Sequence, residues 1–166
     1  MGDPLLLSTE SGAISSEVQL EKNLGFAGQA LAEGANLRTG GVRILEETGG
    51  FYMQPTVFDV TQAMTLAREE VFGPILAIIP FDDEADAVRI ANATPYGLAS
   101  AVWTGNLSRA HRMVRQIKAG VVHVNTYGGA DNTVPLGGVR QSGNGHDKSL
   151  HALDKYQDLK TAWIQL

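Results

Sequence analysis

The fold class is decided by residues 75–125, which read ILAIIPFDDEADAVRIANATPYGLASAVWTGNLSRAHRMVRQIKAGVVHVN. Apolar runs of strand length lie at both ends of this stretch, at 75–81 and 121–125, and a third strand-like run lies at 98–104. Two helices are predicted between these runs, since one interval opens with paired aspartates and the other with an asparagine, which are typical helix N-caps. Strands that alternate with helices indicate βαβ units. We therefore predict an α/β fold with a mostly parallel sheet and flanking helices.

Upstream of this stretch, the pattern predicts one helix and a pair of strands. A helix is expected over 15–33, because serines precede it, apolar residues recur at helical spacing and a glycine follows. Two β-like runs, 42–45 and 51–60, are separated by a Gly-Gly turn, and Pro55 is typical of a strand edge or start. The two runs predict a hairpin or two neighbouring strands.

Downstream of residue 126, the periodic spacing of apolar residues weakens. The glycine-rich segment 127–145 is longer than an ordinary connection, which favours a functional loop or a segment ordered by the rest of a larger protein. A short helix is predicted at 147–156 and a terminal strand at 159–166. Because this strand has apolar residues on both faces, we expect it to have a partner.

Composition excludes several function classes. The 166 residues, 43% of them hydrophobic, suffice for one core, and a net charge of −5 without a run of like charges argues against nucleic acid as a partner. No cysteine is present, so disulfides, thiolate metal sites and thiol catalysis within this chain are excluded. The four histidines lack ligand spacing, so no metal site is predicted. No apolar run suits a membrane span or a signal peptide, which predicts a soluble, cytoplasmic protein without a membrane partner.

Two short motifs have structural interpretations. Residues 83–86, Asp-Glu-Ala-Asp, resemble a helicase signature, but no phosphate-binding loop precedes them, so we interpret them as a capped helix start. Dinucleotide binding requires glycines between a strand and the helix that follows it, and the glycines at 137–138 and 143–145 lack that context. They therefore favour turns over a phosphate site.

The most informative motif is Arg-Glu-Glu-Val-Phe-Gly-Pro at 68–74. Helix capping explains one of its acids but not the whole heptad. The motif resembles the Glu-Glu-x-Phe-Gly-Pro sequence of the NAD(P)-dependent aldehyde dehydrogenases. Six further segments are similar to that family, in the family's order: Gly2-Asp3-Pro4, Gln19-x-x-Lys22, Gln54-Pro55-Thr56-Val57, Ala91-Asn92 with Tyr96-Gly97-Leu98, Lys118-Ala119-Gly120 with Val124-Asn125, and Pro135-x-Gly137-Gly138 with Gln141-Ser142-Gly143-Asn144-Gly145.

The resemblance runs from residue 2 to 166. Residues 149–155, 159–161 and 107–113 are most similar to enzymes that oxidise γ-glutamyl-γ-aminobutyraldehyde in putrescine breakdown. The resemblance implies that residues 1–156 are the C-terminal part of a catalytic domain. It also implies that 157–166 are an oligomerisation strand that joins a neighbouring subunit's sheet, so a homo-oligomer is expected.

The family's chemistry implies what this chain lacks. In the family a cysteine thiolate attacks the aldehyde, hydride passes to the nicotinamide, and water releases a carboxylate. The cysteine, the general-base glutamate and the oxyanion-stabilising asparagine lie earlier in a family chain. The resemblance therefore implies a C-terminal fragment without catalytic residues, inactive alone, whose partners are an aldehyde and the missing N-terminal half.

Cofactor contacts are carried over from the same resemblance. Glu70 is expected to accept hydrogen bonds from both hydroxyls of the nicotinamide-side ribose, and Phe72 to pack against that ribose. Gln19 and Lys22, one helical turn apart, are expected to reach the cofactor from the opposite side. The cofactor is NAD or NADP, because the residues that read the adenosine 2′ position lie outside this chain.

Two further positions concern the substrate. Leu136 stands where many family members carry an aromatic wall of the aldehyde pocket, and a smaller wall suits a longer or more polar aldehyde. Asp147 stands where the family often has a glutamate that assists the base through a proton relay.

Two other functions stay open. The chain can be a non-catalytic assembly or scaffold piece that retains the interface strand. An independent dinucleotide-binding module is disfavoured, because the glycine-rich strand-to-helix fingerprint is missing.

Overall fold

Short strands alternate with helices along the chain in a computed structural model that describes residues 1–129 and 131–166. The α/β class is thereby confirmed. Ala130, within the predicted loop 127–145, lies outside the described residues. The elements are α1 (Glu17–Ala32), β1 (Asn36–Thr39), β2 (Arg43–Ile44), β3 (Tyr52–Met53), β4 (Thr56–Asp59), α2 (Thr65–Arg68), β5 (Ile75–Ile78), α3 (Glu84–Ala91), β6 (Ala99–Val102), α4 (Leu107–Gln116) and β7 (Val121–Val124), with 3₁₀ segments at Glu46–Thr48, Arg140–Ser142 and Leu150–Tyr156.

The first of two compact units comprises Met1–Pro80. Its three-stranded sheet has the order β1-β4-β5, with β4 and β5 parallel and β1 antiparallel to β4. Strands β2 and β3 form the predicted hairpin. Helix α1 begins where predicted, because the Ser16 side chain accepts a hydrogen bond from the Gln19 amide. Its apolar face packs into a core centred on fully buried Leu20, Met53 and Phe58.

The second unit comprises Phe81–Leu166. Strands β6 and β7 are parallel and α4 connects them, which makes the predicted βαβ unit. Asp83 caps α3 and Asn106 caps α4, each accepting a backbone N–H three residues on. Helix α4 buries Ala110 and Met113, and its C-cap Ile117 is buried as well, while β7 is only half-buried along its length.

Glycines of the predicted family segments pack backbone against backbone in this second unit. A Cβ on Gly120 would lie 1.7 Å from the Gly137 carbonyl oxygen, and one on Gly97 would lie 2.7 Å from the Lys118 carbonyl oxygen. The Gly97 amide donates a hydrogen bond to Ser142 Oγ at 3.0 Å. The glycines at 137–138 therefore serve close packing, which their spacing alone did not reveal.

Five elements differ from the sequence predictions. Strand β1 and the single-turn α2 were not predicted, since neither has a periodic apolar pattern. The predicted strand 51–60 is two strands, because Pro55 has no N–H to donate to the ladder. The predicted helix at 147–156 is a 3₁₀ segment, and residues 159–166 form no strand within the described chain, where nothing pairs with them. No helix among the described residues is long and apolar enough to cross a membrane.

Candidate functional site

Arg68, the first residue of the heptad motif, ends α2, and the other six, residues 69–74, form the loop between α2 and β5, which we call the motif loop. Its Glu70 is exposed, and Phe72 is 77% exposed with a backbone φ of +56°. A left-handed conformation costs an aromatic residue on the order of 1–3 kcal/mol, and such strain persists only where the surroundings impose it. The fold therefore holds an aromatic ring out of the core at this loop.

Gln19 of α1 supplies part of that restraint. Its side-chain Nε2 lies 3.0 Å from the Val71 carbonyl oxygen and 3.2 Å from the Phe72 carbonyl oxygen. The same nitrogen lies 2.9 Å from Asn23 Oδ1. Gln19 and Phe72, both predicted as cofactor contacts, are thus brought together, with the glutamine holding the backbone of the motif loop.

A cavity adjoins these two side chains. It has a volume of about 300 Å³ and is lined by Gln19, Phe72, Gly73, Pro74, Met1 and residues 11–15. The Glu70 carboxylate makes no hydrogen bond or ion pair within residues 1–129 and 131–166. Its acceptor oxygens are therefore available to hydroxyl donors.

Lys22 takes a different position from Gln19. Its ammonium lies over the ring of Phe26, 5.7 Å from the ring centroid, and its side chain is exposed. This is a cation–π distance. A contact between Lys22 and a cofactor stays a prediction.

The second unit brings Leu136 and Asp147 together. Their backbones exchange two hydrogen bonds, Leu136 N–H to the Asp147 oxygen at 2.8 Å and Asp147 N–H to the Leu136 oxygen at 2.7 Å. Leu136 also lines a small cavity of about 60 Å³ beside His123 and Lys148. The two residues predicted to wall the aldehyde pocket and to relay a proton therefore share one rigid bridge.

Lys155 forms an ion pair with Asp147. Its ammonium donates to Asp147 Oδ1, and this hydrogen bond and the attraction of the two charges hold the pKa of the aspartate below its usual range. The same contact raises the pKa of Lys155. Asp147 is a carboxylate at neutral pH, and its lowered pKa makes it a weaker base than an unpaired aspartate.

Two asparagines have roles that the motifs alone did not reveal. Asn92 holds the turn after α4, since its Oδ1 accepts from the Lys118 amide at 2.8 Å and its Nδ2 donates to the Gln116 carbonyl at 2.9 Å. Asn23 is fully buried beside Gln19. The available signal was a polar residue on the otherwise apolar face of the predicted helix 15–33.

Known proteins resemble this chain along nearly its whole length. The sequence profile of the aldehyde dehydrogenase family matches residues 1–162. Betaine aldehyde dehydrogenase of Sinorhizobium fredii (strain NBRC 101917 / NGR234) is 48% identical over 166 residues, covering 99% of this chain and 34% of the relative. The chain thus spans about a third of the length of the curated relatives it matches.

Two solved structures are similar in fold as well. γ-Glutamyl-γ-aminobutyraldehyde dehydrogenase from Burkholderia cenocepacia J2315 is 54% identical with a TM-score of 0.92, over 96% of this chain and 32% of that one. An indole-3-acetaldehyde dehydrogenase in complex with NAD⁺ is 52% identical with a TM-score of 0.92, over the same shares. On the profile match, the sequence identity and the shared fold, the chain belongs to the aldehyde dehydrogenase family.

Proposed function

We propose that this chain supplies the cofactor-positioning and substrate-wall residues of an NAD(P)-dependent aldehyde dehydrogenase. The observation that carries the proposal is the motif loop, on which Gln19 holds a strained, exposed Phe72 beside an unpaired Glu70. The chain has no cysteine. The thiol, the general base and the dinucleotide-binding fingerprint then belong to the part of the enzyme that corresponds to the unmatched portion of the relatives.

Glu70 and Phe72 suit the nicotinamide-side ribose of the cofactor. A carboxylate with two unengaged oxygens suits a pair of ribose hydroxyls, and an exposed ring at the rim of the 300 Å³ cavity suits packing against a sugar. When bound, the nicotinamide supplies the acceptor for hydride. Glu70 would hold the ribose and Phe72 would limit its movement, so both act on the distance over which hydride is transferred.

The aldehyde side of the site is proposed from the second unit. Leu136 would wall the substrate pocket, and Asp147 would accept a proton relayed from the general base, its lowered pKa keeping it ionised and so ready to accept one. We favour γ-glutamyl-γ-aminobutyraldehyde as the substrate, hence a role in polyamine breakdown. The support is the sequence likeness of the C-terminal runs and the 54% identity to an enzyme of that name.

The test measures NAD(P)H formation with a panel of aldehydes. It compares the 166-residue chain with a version extended upstream to include a cysteine-bearing half. We expect the short chain to be inert and the extended version to turn over. Turnover by the short chain would mean hydride chemistry without a thiol, and the proposal would fall.

A matched pair of variants then tests the motif loop in the extended version. Glu70→Gln replaces a charged acceptor with a neutral amide, and the loss of charge-assisted hydrogen bonding should lower the hydride-transfer rate by about tenfold to a hundredfold. The neighbouring Glu69→Gln has the same chemistry at an exposed position and should stay within about twofold of the parent. Equal effects of the two changes would contradict the assigned role of Glu70.

We further propose that residues 157–166 pair with a neighbouring subunit. A non-catalytic scaffold piece would use the same interface. The support is an end of the chain that pairs with no strand among the described residues and whose apolar side chains are largely exposed: Leu159, Trp163, Ile164 and Leu166. Deleting 157–166 should reduce the sedimenting mass, and an unchanged mass would remove this proposal. The cytoplasmic location predicted from the sequence stays a prediction.

A further inference from the structure

Asn23 is a polar residue on the buried face of α1. Its neighbours on that face, Leu20, Ala27 and Ala30, are apolar and buried with it, and Asn23 itself has no exposed surface. Its Nδ2 has no hydrogen-bond partner within the described part of the chain. A buried amide hydrogen without an acceptor destabilises a fold, so an apolar residue of the same size would pack better here.

The orientation of the Asn23 amide follows from its surroundings. Two carbonyl oxygens, of Val71 and Phe72, face the Gln19 side chain, so its NH₂ group must point toward them. That NH₂ group also faces Asn23, which must therefore present its oxygen. The unpaired Nδ2 then points the other way.

The other end of the Asn23 amide touches the motif loop directly. A Cβ built on Gly73 would lie 2.0 Å from Asn23 Nδ2 and 2.5 Å from its Cγ. The asparagine thus occupies the space that a side chain at position 73 would need. One amide contacts both Gln19 and Gly73, on the two sides of the strained Phe72.

We propose that Asn23 is the positioning residue of the motif loop. Its oxygen orients the Gln19 amide toward the loop carbonyls, and its amide plane supports Gly73, so that Phe72 keeps its left-handed backbone. The link to cofactor use rests on the proposed function. A residue that only filled the core would not need the oxygen, and leucine would serve it better.

Asn23→Leu separates positioning from packing. It keeps the number of side-chain heavy atoms and the branch point at Cγ, removes the acceptor for Gln19 and removes the unpaired amide. In the 166-residue chain, we expect the urea midpoint to stay equal or rise. The ¹⁵N order parameters at residues 71–73 should fall from about 0.85, typical of a rigid backbone, to below about 0.6. Glu21→Leu, an exposed change on the same helix, is the control and should leave those order parameters unchanged.

A kinetic readout links the loop to the cofactor. In the extended, cysteine-bearing version, Asn23→Leu should raise the KM for NAD⁺ about fivefold, the factor expected for one lost hydrogen bond, and should also slow hydride transfer, because a loosened Phe72 no longer limits the movement of the ribose. The order parameters are measured without cofactor. If they fall while the KM stays constant, the positioning of the loop stands and its link to the cofactor fails.

Unchanged order parameters at 71–73 in Asn23→Leu overturn the proposal, whatever the KM does. Should Asn23→Leu unfold the chain, Gly73→Ala tests the same contact from the loop side, because its Cβ would displace the Asn23 amide. The same fall in order parameters is expected. A rigid loop in Gly73→Ala would contradict the role given to Asn23.

Discussion

Gly120→Ala tests the backbone packing that joins the family segments of the second unit. The new Cβ would lie 1.7 Å from the Gly137 carbonyl oxygen and 3.3 Å from the Gly138 Cα. Close C···O contacts lie at about 3.3 Å, so the two segments must separate by roughly 1.6 Å. Because these atoms belong to the backbone, no rotamer change relieves the contact.

The magnitude follows from what that separation breaks. Overpacking a tight contact costs about 1–3 kcal/mol. The shift also strains two hydrogen bonds to the Gly97 carbonyl, from the Gly120 and Val139 amides at 3.0 Å each, worth about 1 kcal/mol apiece. The lower end of the overpacking cost together with the two hydrogen bonds gives an expected loss of about 3 kcal/mol in the free energy of unfolding.

Urea unfolding of the 166-residue chain measures this loss. With a denaturant slope of about 2 kcal/mol per molar, the midpoint should fall by about 1.5 M. Gly105→Ala is the matched control, since nothing lies within 4 Å of its Cβ. That change should leave the midpoint unchanged or raise it slightly, because alanine restricts the unfolded chain. Equal midpoints for the two variants would refute the packing argument.

Two further predictions concern charged side chains. Hydrogen bonds and charge from Arg112, and to a smaller extent from Arg109, lower the pKa of Glu84 to about 2. Ionised Glu84 therefore stabilises the fold above its unfolded pKa of about 4.5, and this contribution is lost as pH falls toward 2. Urea titrations should show wild type more stable than Glu84→Gln at pH 7 and equal to it at pH 2; a constant difference would contradict the assignment. Lys155→Met should raise the pKa of Asp147, since it removes the hydrogen bond and charge that lower it. An NMR titration of the Asp147 carboxyl checks this, and an unmoved pKa would show that the ion pair does not form in solution.

Local signals predicted the helices and strands of the βαβ unit well. Helix α4 begins after Asn106 and β7 occupies 121–124, as capping and apolar runs indicated. The same signals missed β1, because its residues 36–39 alternate poorly and are held by pairing with β4. They also predicted a strand at 159–166, where the described chain offers no partner. A strand forms only when another strand pairs with it, which local sequence does not report.

By itself the sequence determined the family resemblance, the absence of a thiol and the place of Glu70 and Phe72 in the motif. Only the tertiary structure decided how that motif is held. Gln19 reaches carbonyl oxygens more than fifty positions away along the chain, and Asn23 touches Gly73 across the same interval. Residue spacing predicts contacts within a helix or strand, because those geometries repeat. Contacts between elements depend on how their faces pack, so the sequence could name the residues of the motif loop but not what holds Phe72 in its strained conformation.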